Sequence, residues 1–174
     1  YGGGITDIDQ IKQIFRMGYE KVVINTALYL NPKLVKDASC YAGSQSVVVS
    51  IDVKTDVIGK KHCFSTDGTI KTKLSPIDAA QMAESLGAGE LIVNSINNDG
   101  VMCGYDIELI RSISEAVSIP VTACGGAKEI YDIKRVLTEG KAHAAAAGSM
   151  FVYYGREKAV LITAPSEQEL ITVG

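Results

Sequence analysis

Residues 2–28 recur without a gap 122 positions later, as residues 124–150. Gly3, Gly4, Ile8, Ile11, Lys12 and Gly18 fall on Gly125, Gly126, Ile130, Ile133, Lys134 and Gly140, all identical. Glycines, helix face and following strand keep one register. Long-period self-similarity of this kind marks a duplicated unit, and two copies of 122 residues make ~250, the usual size of a (β/α)8 barrel.

The rest of the chain has the pattern such a unit requires. Short apolar runs at residues 21–26, 46–52, 90–94, 120–123 and 143–147, with a glycine-rich strand end at 1–5, alternate with segments of helical spacing. Asp7, Ser75 and Asp106 stand where helix N-caps belong, and Pro32 and Pro76 suit a first turn. All six strands run in βα order, so the fold class is α/β with a parallel sheet. Counted against the repeat, residues 1–174 form a single partial (β/α)8 barrel of duplicated half-barrels, with six of eight units present and two expected upstream of Tyr1. The opening Tyr1-Gly2-Gly3-Gly4 has no initiator Met and reads as the interior of a longer chain.

Val47, Val48, Val49 and Ile51 read as a strand buried on both faces, ending at Asp52. Strand carboxyl ends are where parallel α/β folds place chemistry. A cap or loop-ordering carboxylate is the alternative for Asp52 alone. Residues 54–73 are long and polar, read as a lid or binding loop with a hairpin turn at Thr66-Asp67-Gly68-Thr69. The duplication also ends adjacent strands in Gly3-Gly4 with Asn25-Thr26, and in Gly125-Gly126 with Gly148-Ser149. Paired glycine-ended strands let backbone N–H groups approach an anion, so two such cradles suit a ligand phosphorylated at both ends. Tight βα turns are what the glycines would serve otherwise. Lys21 and Glu90 stand at the amino ends of their strands, on the opposite face, where solvated pairing is the plain alternative.

A net charge of −3 gives no reason to expect nucleic acid or an anionic membrane as partner, and no apolar run approaches the ~20 residues of a membrane span. Cys40, Cys63, Cys103 and Cys124 form no C-x-x-C pair, and His62 and His143 have no metal-ligand pattern; no metal or cofactor is expected, and a reducing cytoplasmic setting fits.

In order, Gly2-Gly3-Gly4-Ile5, Lys21-Val22-Val23-Ile24-Asn25-Thr26-Ala27, Gly43-Ser44-Gln45, Ile51-Asp52-Val53-Lys54, Gly87-Ala88-Gly89-Glu90, Asp99-Gly100, Gly104-Tyr105-Asp106 and Gly125-Gly126-Ala127 resemble the cyclase subunit of imidazole glycerol phosphate synthase. The resemblance implies a (β/α)8 barrel, of which this chain would carry strands 3 to 8, and a lyase of histidine biosynthesis. Ammonia from a glutaminase partner would cross the barrel to a doubly phosphorylated ribulosyl nucleotide, giving imidazole glycerol phosphate and an aminoimidazole carboxamide ribotide. Asp52 matches one of the family's two acid/base aspartates; the other belongs to the first strand, so these residues alone are expected to be inactive. Gly3, Gly4, Asn25 and Thr26 fall on one phosphate side, and Gly125, Gly126, Gly148 and Ser149 on the other. Asn94, Asp99 and Gly100 join the substrate contacts, and Lys21 and Glu90 match the ring that gates ammonia.

Departures from the family pattern motivate a second hypothesis. Asn94, Asn97 and Asn98 replace Thr, Asp and Arg, and Cys124 replaces Ser. The tail from Phe151 through Tyr154-Gly155-Arg156 is similar to paralogues found with surface-polysaccharide genes, which would deliver ammonia to a sugar amidotransferase. A sheet with two units absent is also expected to leave apolar edges that self-associate.

Overall fold

The computed structural model describes residues 1–154 and 159–171. Helix α1 (Ile8–Arg16) starts where the Asp7 carboxylate accepts the Asp9 and Gln10 N–H groups, and it buries Ile11 and Ile14. Strand β1 (Val22–Ile24), helices α2 (Thr26–Leu30) and α3 (Lys33–Ala42), and strand β2 (Val47–Thr55) follow. Then come β3 (Lys61–Ser65), β4 (Ile70–Lys71), α4 (Pro76–Ser85), β5 (Glu90–Ser95), α5 (Ile107–Ser114) and β6 (Val121–Cys124). The rest is α6 (Ile130–Thr138), β7 (Ala144–Ala145), α7 (Ser149–Val152), β8 (Tyr153–Tyr154), β9 (Ala159–Val160) and α8 (Glu167–Ile171).

The duplication is visible in the backbone. Helices α1 and α6 coincide residue for residue under the shift of 122 positions, and their N-caps adopt nearly the same dihedrals, −145°/165° at Asp7 and −146°/166° at Glu129. Gly3, Gly4, Gly125 and Gly126 all have positive φ, from 72° to 114°.

The sheet is α/β and barrel-like in order: β1, β2, β5, β6 and β7 run parallel in chain order, and Gly2 bridges Val23 ahead of them. It is not closed, since β7 at one edge and Gly2 at the other do not pair among the described residues. One face carries Val22, Ile24, Val47, Val49, Ile51, Val53, Leu91, Val93, Val121 and Ala123, all buried in the core with Ile11, Leu28, Leu109 and Ile113. The other face holds Val48, which is buried, and Ser50, Asp52, Ile92, Asn94 and Thr122, only half-buried. The expectation of two buried faces for the strand ending at Asp52 thus holds as far as Val48 and Val49 and is corrected at Ser50 and Asp52, where the inner side of the open sheet remains accessible.

That strand is also longer than expected. Strand β2 continues past Asp52 to Thr55, where β3 pairs antiparallel with it from Asp52↔Phe64 to Thr55↔Lys61. Residues 54–73 are thus an ordered ribbon of two hairpins, one turning at Thr66-Asp67-Gly68-Thr69 as the sequence indicated. The other turns through Asp56-Val57-Ile58-Gly59, whose apolar middle hides its mechanism. There the Asp56 carboxylate accepts the Ile58 and Lys60 N–H groups at 3.0 and 2.9 Å, a side-chain-capped turn. No helix among the described residues is long and apolar enough to cross a membrane.

Candidate functional site

Parallel pairing puts Asp52 of β2, Asn94 of β5 and Cys124 of β6 in one row, with Asp52 opposite Asn94 and Asn94 opposite Cys124. Asn94 Nδ2 donates to Asp52 Oδ1 at 3.3 Å. Burial pushes the Asp52 carboxyl above the usual carboxylate range; the Asn94 and Asn25 amides pull it down, and the charges of Asp67 and Asp99 push it up again. Burial also raises the Cys124 thiol, which leaves it a poor nucleophile.

On the β1 side of this row a cavity of about 640 Å³ is lined by Gly3, Gly4, Asn25, Thr26 and Asp52. Gly3 and Gly4 face open space, as a backbone that must approach a ligand should. Asn25 Nδ2 donates to the Ser50 carbonyl at 3.1 Å. Thr26 does not end a strand, as its polar position suggested, but opens the short helix α2. Its hydroxyl oxygen accepts the Thr66 N–H at 3.0 Å, so the hairpin ribbon is fastened to the rim of the cavity. Thr66 and Asp67 line that cavity too. Sequence reasoning saw their turn but not its destination, which depends on β3 pairing with β2 beyond the end of β1.

On the β6–β7 side a second, much smaller cleft of about 30 Å³ is lined by Asp99, Gly100, Gly125, Gly126, Gly148 and Ser149. Every residue expected on that side converges there. The Gly125-Gly126 pair is tightly enclosed: a side chain on Gly125 would come within 2.8 Å of Asn94 Oδ1, and one on Gly126 would meet the Gly104 carbonyl. That carbonyl is fixed by Asn98 Nδ2 at 2.9 Å, and the Gly104 N–H donates to the Gly126 carbonyl at 2.8 Å. Tyr105 donates its hydroxyl to the Ala146 carbonyl at 2.9 Å, tying this loop to the end of β7.

Asn97 and Asn98 prove to be scaffold. Asn97 receives the Thr55 N–H at 2.7 Å and returns its own amide N–H to the Thr55 carbonyl at 3.3 Å, pairing with the end of β2 as a backbone would.

At the other end of the sheet, Lys21 Nζ lies 2.6 Å from Glu90 Oε2, and Thr122 Oγ1 donates to Glu90 Oε1 at 3.0 Å. Partial burial pushes the Glu90 carboxyl up, but Lys21 and Thr122 outweigh it and hold it below the ordinary range. Thr122 gave no signal in the sequence, because its role needs the β5–β6 register. Strand side chains alternate, so Glu90, Ile92 and Asn94 share one face of β5, with Glu90 and Asn94 roughly 13 Å apart. No group of three His, Cys, Asp or Glu side chains among the described residues is placed to hold a metal ion.

Against known proteins, residues 1–158 match the family described as "Histidine biosynthesis protein". The hisF3 protein of Vibrio vulnificus (strain YJ016), named for an imidazole glycerol phosphate synthase subunit, is 42% identical over 170 residues, covering 97% of this chain and 65% of that protein. The similarly named hisF2 protein of Pseudomonas aeruginosa is 43% identical over 170 residues, 98% of this chain and 68% of its own. The imidazole glycerol phosphate synthase subunit HisF of Petrotoga mobilis is 45% identical over 153 residues, 87% of this chain and 60% of its own. The chain therefore spans about two thirds of the length of the curated relatives it matches. With a match across nearly all its length, two glycine-ended clefts flanking Asp52 and an ion pair at the far end of the same sheet, the chain belongs to the histidine biosynthesis protein family.

Proposed function

We propose that the protein carrying this chain is an ammonia-dependent cyclase and lyase of histidine biosynthesis, converting a doubly phosphorylated ribulosyl nucleotide to imidazole glycerol phosphate and an aminoimidazole carboxamide ribotide. The observation that carries this is the single face of β5 that runs from Glu90, paired to Lys21, to Asn94, bonded to Asp52. A polar gate at the amino end and a carboxylate at the carboxyl end share one inner surface, with Ile92 between them. Neutral ammonia passes an apolar stretch that an ammonium ion, strongly hydrated, does not.

In this scheme Gly3, Gly4, Asn25 and Thr26 take one phosphate and Gly125, Gly126, Gly148 and Ser149 the other, with Asn94, Asp99 and Gly100 along the span. Asp52, its proton affinity raised by burial, moves protons at the reacting carbons between the two. Lys21 and Glu90 gate nitrogen delivered by a glutaminase subunit. The family's second aspartate has no match in these 174 residues, so the chain by itself is proposed to be inactive and, with its sheet unclosed, to self-associate. The test is cyclisation of the ribulosyl nucleotide, with ammonium as nitrogen source, by the whole protein carrying this chain. Turnover is expected, and Asp52→Asn is expected to remove at least ~100-fold of it. Turnover unaffected by that substitution would overturn the scheme.

A second use of the same site is delivery of ammonia to a sugar amidotransferase. What favours it is the tail from Phe151 onward, similar to that of paralogues found with surface-polysaccharide genes. Of that tail, residues 155–158 and 172–174 lie outside the described residues. Robust Asp52-dependent cyclisation would exclude a purely non-catalytic conduit.

A further inference from the structure

Asn94 is half satisfied. Its Nδ2 donates to Asp52 Oδ1 at 3.3 Å, whereas its Oδ1 is buried and accepts no hydrogen bond. Leaving a buried amide oxygen without a donor costs roughly 1–3 kcal/mol, so such an atom calls for an explanation. Packing does not supply one, because a smaller apolar residue or a hydroxyl would fill the place at lower cost. Gly125 stands directly against this oxygen, with no side chain to hold the amide in either sense.

An amide has a donor end and an acceptor end of nearly the same shape. Turned over about its last torsion, it presents oxygen where it presented NH2. Toward an ionised carboxylate the NH2 is the right partner; toward a protonated carboxyl the oxygen is, since the acid then donates its O–H.

We propose that Asn94 is the positioning residue of Asp52 and serves both of its protonation states, donating to the carboxylate as seen here and turning its amide over to accept from the carboxylic acid. No proton passes through Asn94: Asp52 gains or loses one, and the amide exchanges its donor end for its acceptor end. The functional meaning rests on the acid/base role proposed for Asp52, but the geometry and its test do not. A group that cycles between acid and base within one turnover needs a neighbour that fits both forms, which a methyl or a fixed cation beside it does not provide.

The neighbours of Asp52 leave this task to amides. Asp67 in the β3–β4 turn and Asp99 in the loop after β5 are negative, Asn25 next to β1 is a second amide, and Phe64 opposes Asp52 on β3. Cys124 on β6, Cys63 on β3 and Tyr29 on α2 feel the Asp52 charge as well, and burial keeps all three protonated at neutral pH. Lys54 on β2 lies over the Phe64 ring, 5.9 Å from its centre.

The experiment is NMR titration of the whole protein carrying this chain from about pH 3 to about pH 8, following the Asp52 carboxyl carbon and the Asn94 side-chain NH2 together. The Asn94 signals are expected to shift with the Asp52 midpoint. In Asn94→Leu, which keeps size and removes both hydrogen-bonding ends, both forms of Asp52 lose a partner and only the extra strength of the charge-assisted bond shows. The midpoint is therefore expected to rise by less than about one pH unit, where loss of an amide that only donates would raise it by more. Should the Leu variant fail to fold, the wild-type titration decides alone. An Asn94 NH2 that stays unmoved while Asp52 titrates, or a folded Leu variant whose midpoint rises by more than about one pH unit, would overturn the proposal. Neither readout depends on turnover, so a failed cyclisation assay and a failed titration are separate results.

Discussion

Lys21 and Glu90, 69 residues apart in sequence, meet at 2.6 Å on the amino-terminal edge of the sheet, and Thr122 holds the other oxygen of the same carboxylate. Lys21 is about half exposed, so solvent screens the pair and its worth to stability is small. Lys21→Ala is expected to cost less than about 1 kcal/mol in urea denaturation. The pH dependence follows from Glu90, whose folded carboxyl is held below its ordinary range. Its contribution is fully present above the unfolded value and is lost as pH falls through the folded one. Lys21→Ala and Thr122→Val should each flatten that acid loss; a loss of several kcal/mol at neutral pH would show instead that the pair is structural.

Asp52 has the opposite sign. Its carboxyl is raised by burial, so above the folded value both folded and unfolded chains carry the charge and the burial penalty is fully felt. As pH falls through the folded value toward the unfolded one, the folded chain takes up the proton first and the penalty is relieved. Asp52→Asn, which can still accept from Asn94, is therefore expected to be more stable than the parent at neutral pH, by a few tenths of a kcal/mol after solvent screening. The advantage should vanish in acid. Equal midpoints for the two proteins at neutral pH in denaturant would contradict a buried, charged Asp52.

Much of this was legible in the sequence for identifiable reasons. The duplication was, because helix α1 and helix α6 keep the same apolar face, entering glycine pair and closing glycine, and a shift of 122 positions exposes them without knowledge of the fold. Caps at Asp7, Ser75 and Asp106 were legible because short polar side chains at helix starts have a local mechanism. What escaped was set by register between distant segments. The hairpin ribbon could be read as polar but not as paired with β2, so Thr66 and Asp67 could not be placed beside Asp52. Thr122 and Asn97 spend their polar groups on partners 32 and 42 residues away, and nothing in their local sequence says so.

The two glycine pairs look alike in sequence but should respond differently to substitution. At Gly126, with φ of 114°, a side chain would be strained and would also meet the Gly104 carbonyl, which Asn98 and the Gly104 N–H hold in place. At Gly4, with φ of 72°, it would meet nothing within 4 Å. Gly4→Ala is expected to cost about 1–2 kcal/mol, the backbone penalty alone. Gly126→Ala should cost more than about 3 kcal/mol, since loop displacement adds to strain. Chemical denaturation of both variants checks this, and equal losses would refute the distinction between an open cradle and an enclosed one.

Asn97 makes the sharpest case for reading a departure from the family pattern as structure before function. Where the relatives of the resemblance carry a charge, this chain has an amide that pairs with both backbone groups of Thr55, the last residue of β2. Thr55 in turn opposes Lys61 on β3 beside the Asp56–Gly59 turn, so Asn97 anchors one end of the ribbon whose other turn reaches Thr26. Because these groups are solvent-exposed, water replaces part of what is lost, and Asn97→Ala is expected to cost only about 0.5–1.5 kcal/mol globally. The local effect should be larger. The Thr55 amide should exchange with deuterium at least ~10-fold faster in the variant, and the Thr66 amide, bonded to the Thr26 hydroxyl, should follow if the ribbon moves as one piece. Asn97→Asp, which keeps the acceptor for the Thr55 N–H but not the donor for its carbonyl, should fall between. Thr55 protection that is unchanged in Asn97→Ala would return Asn97 to the pool of residues free to meet a ligand.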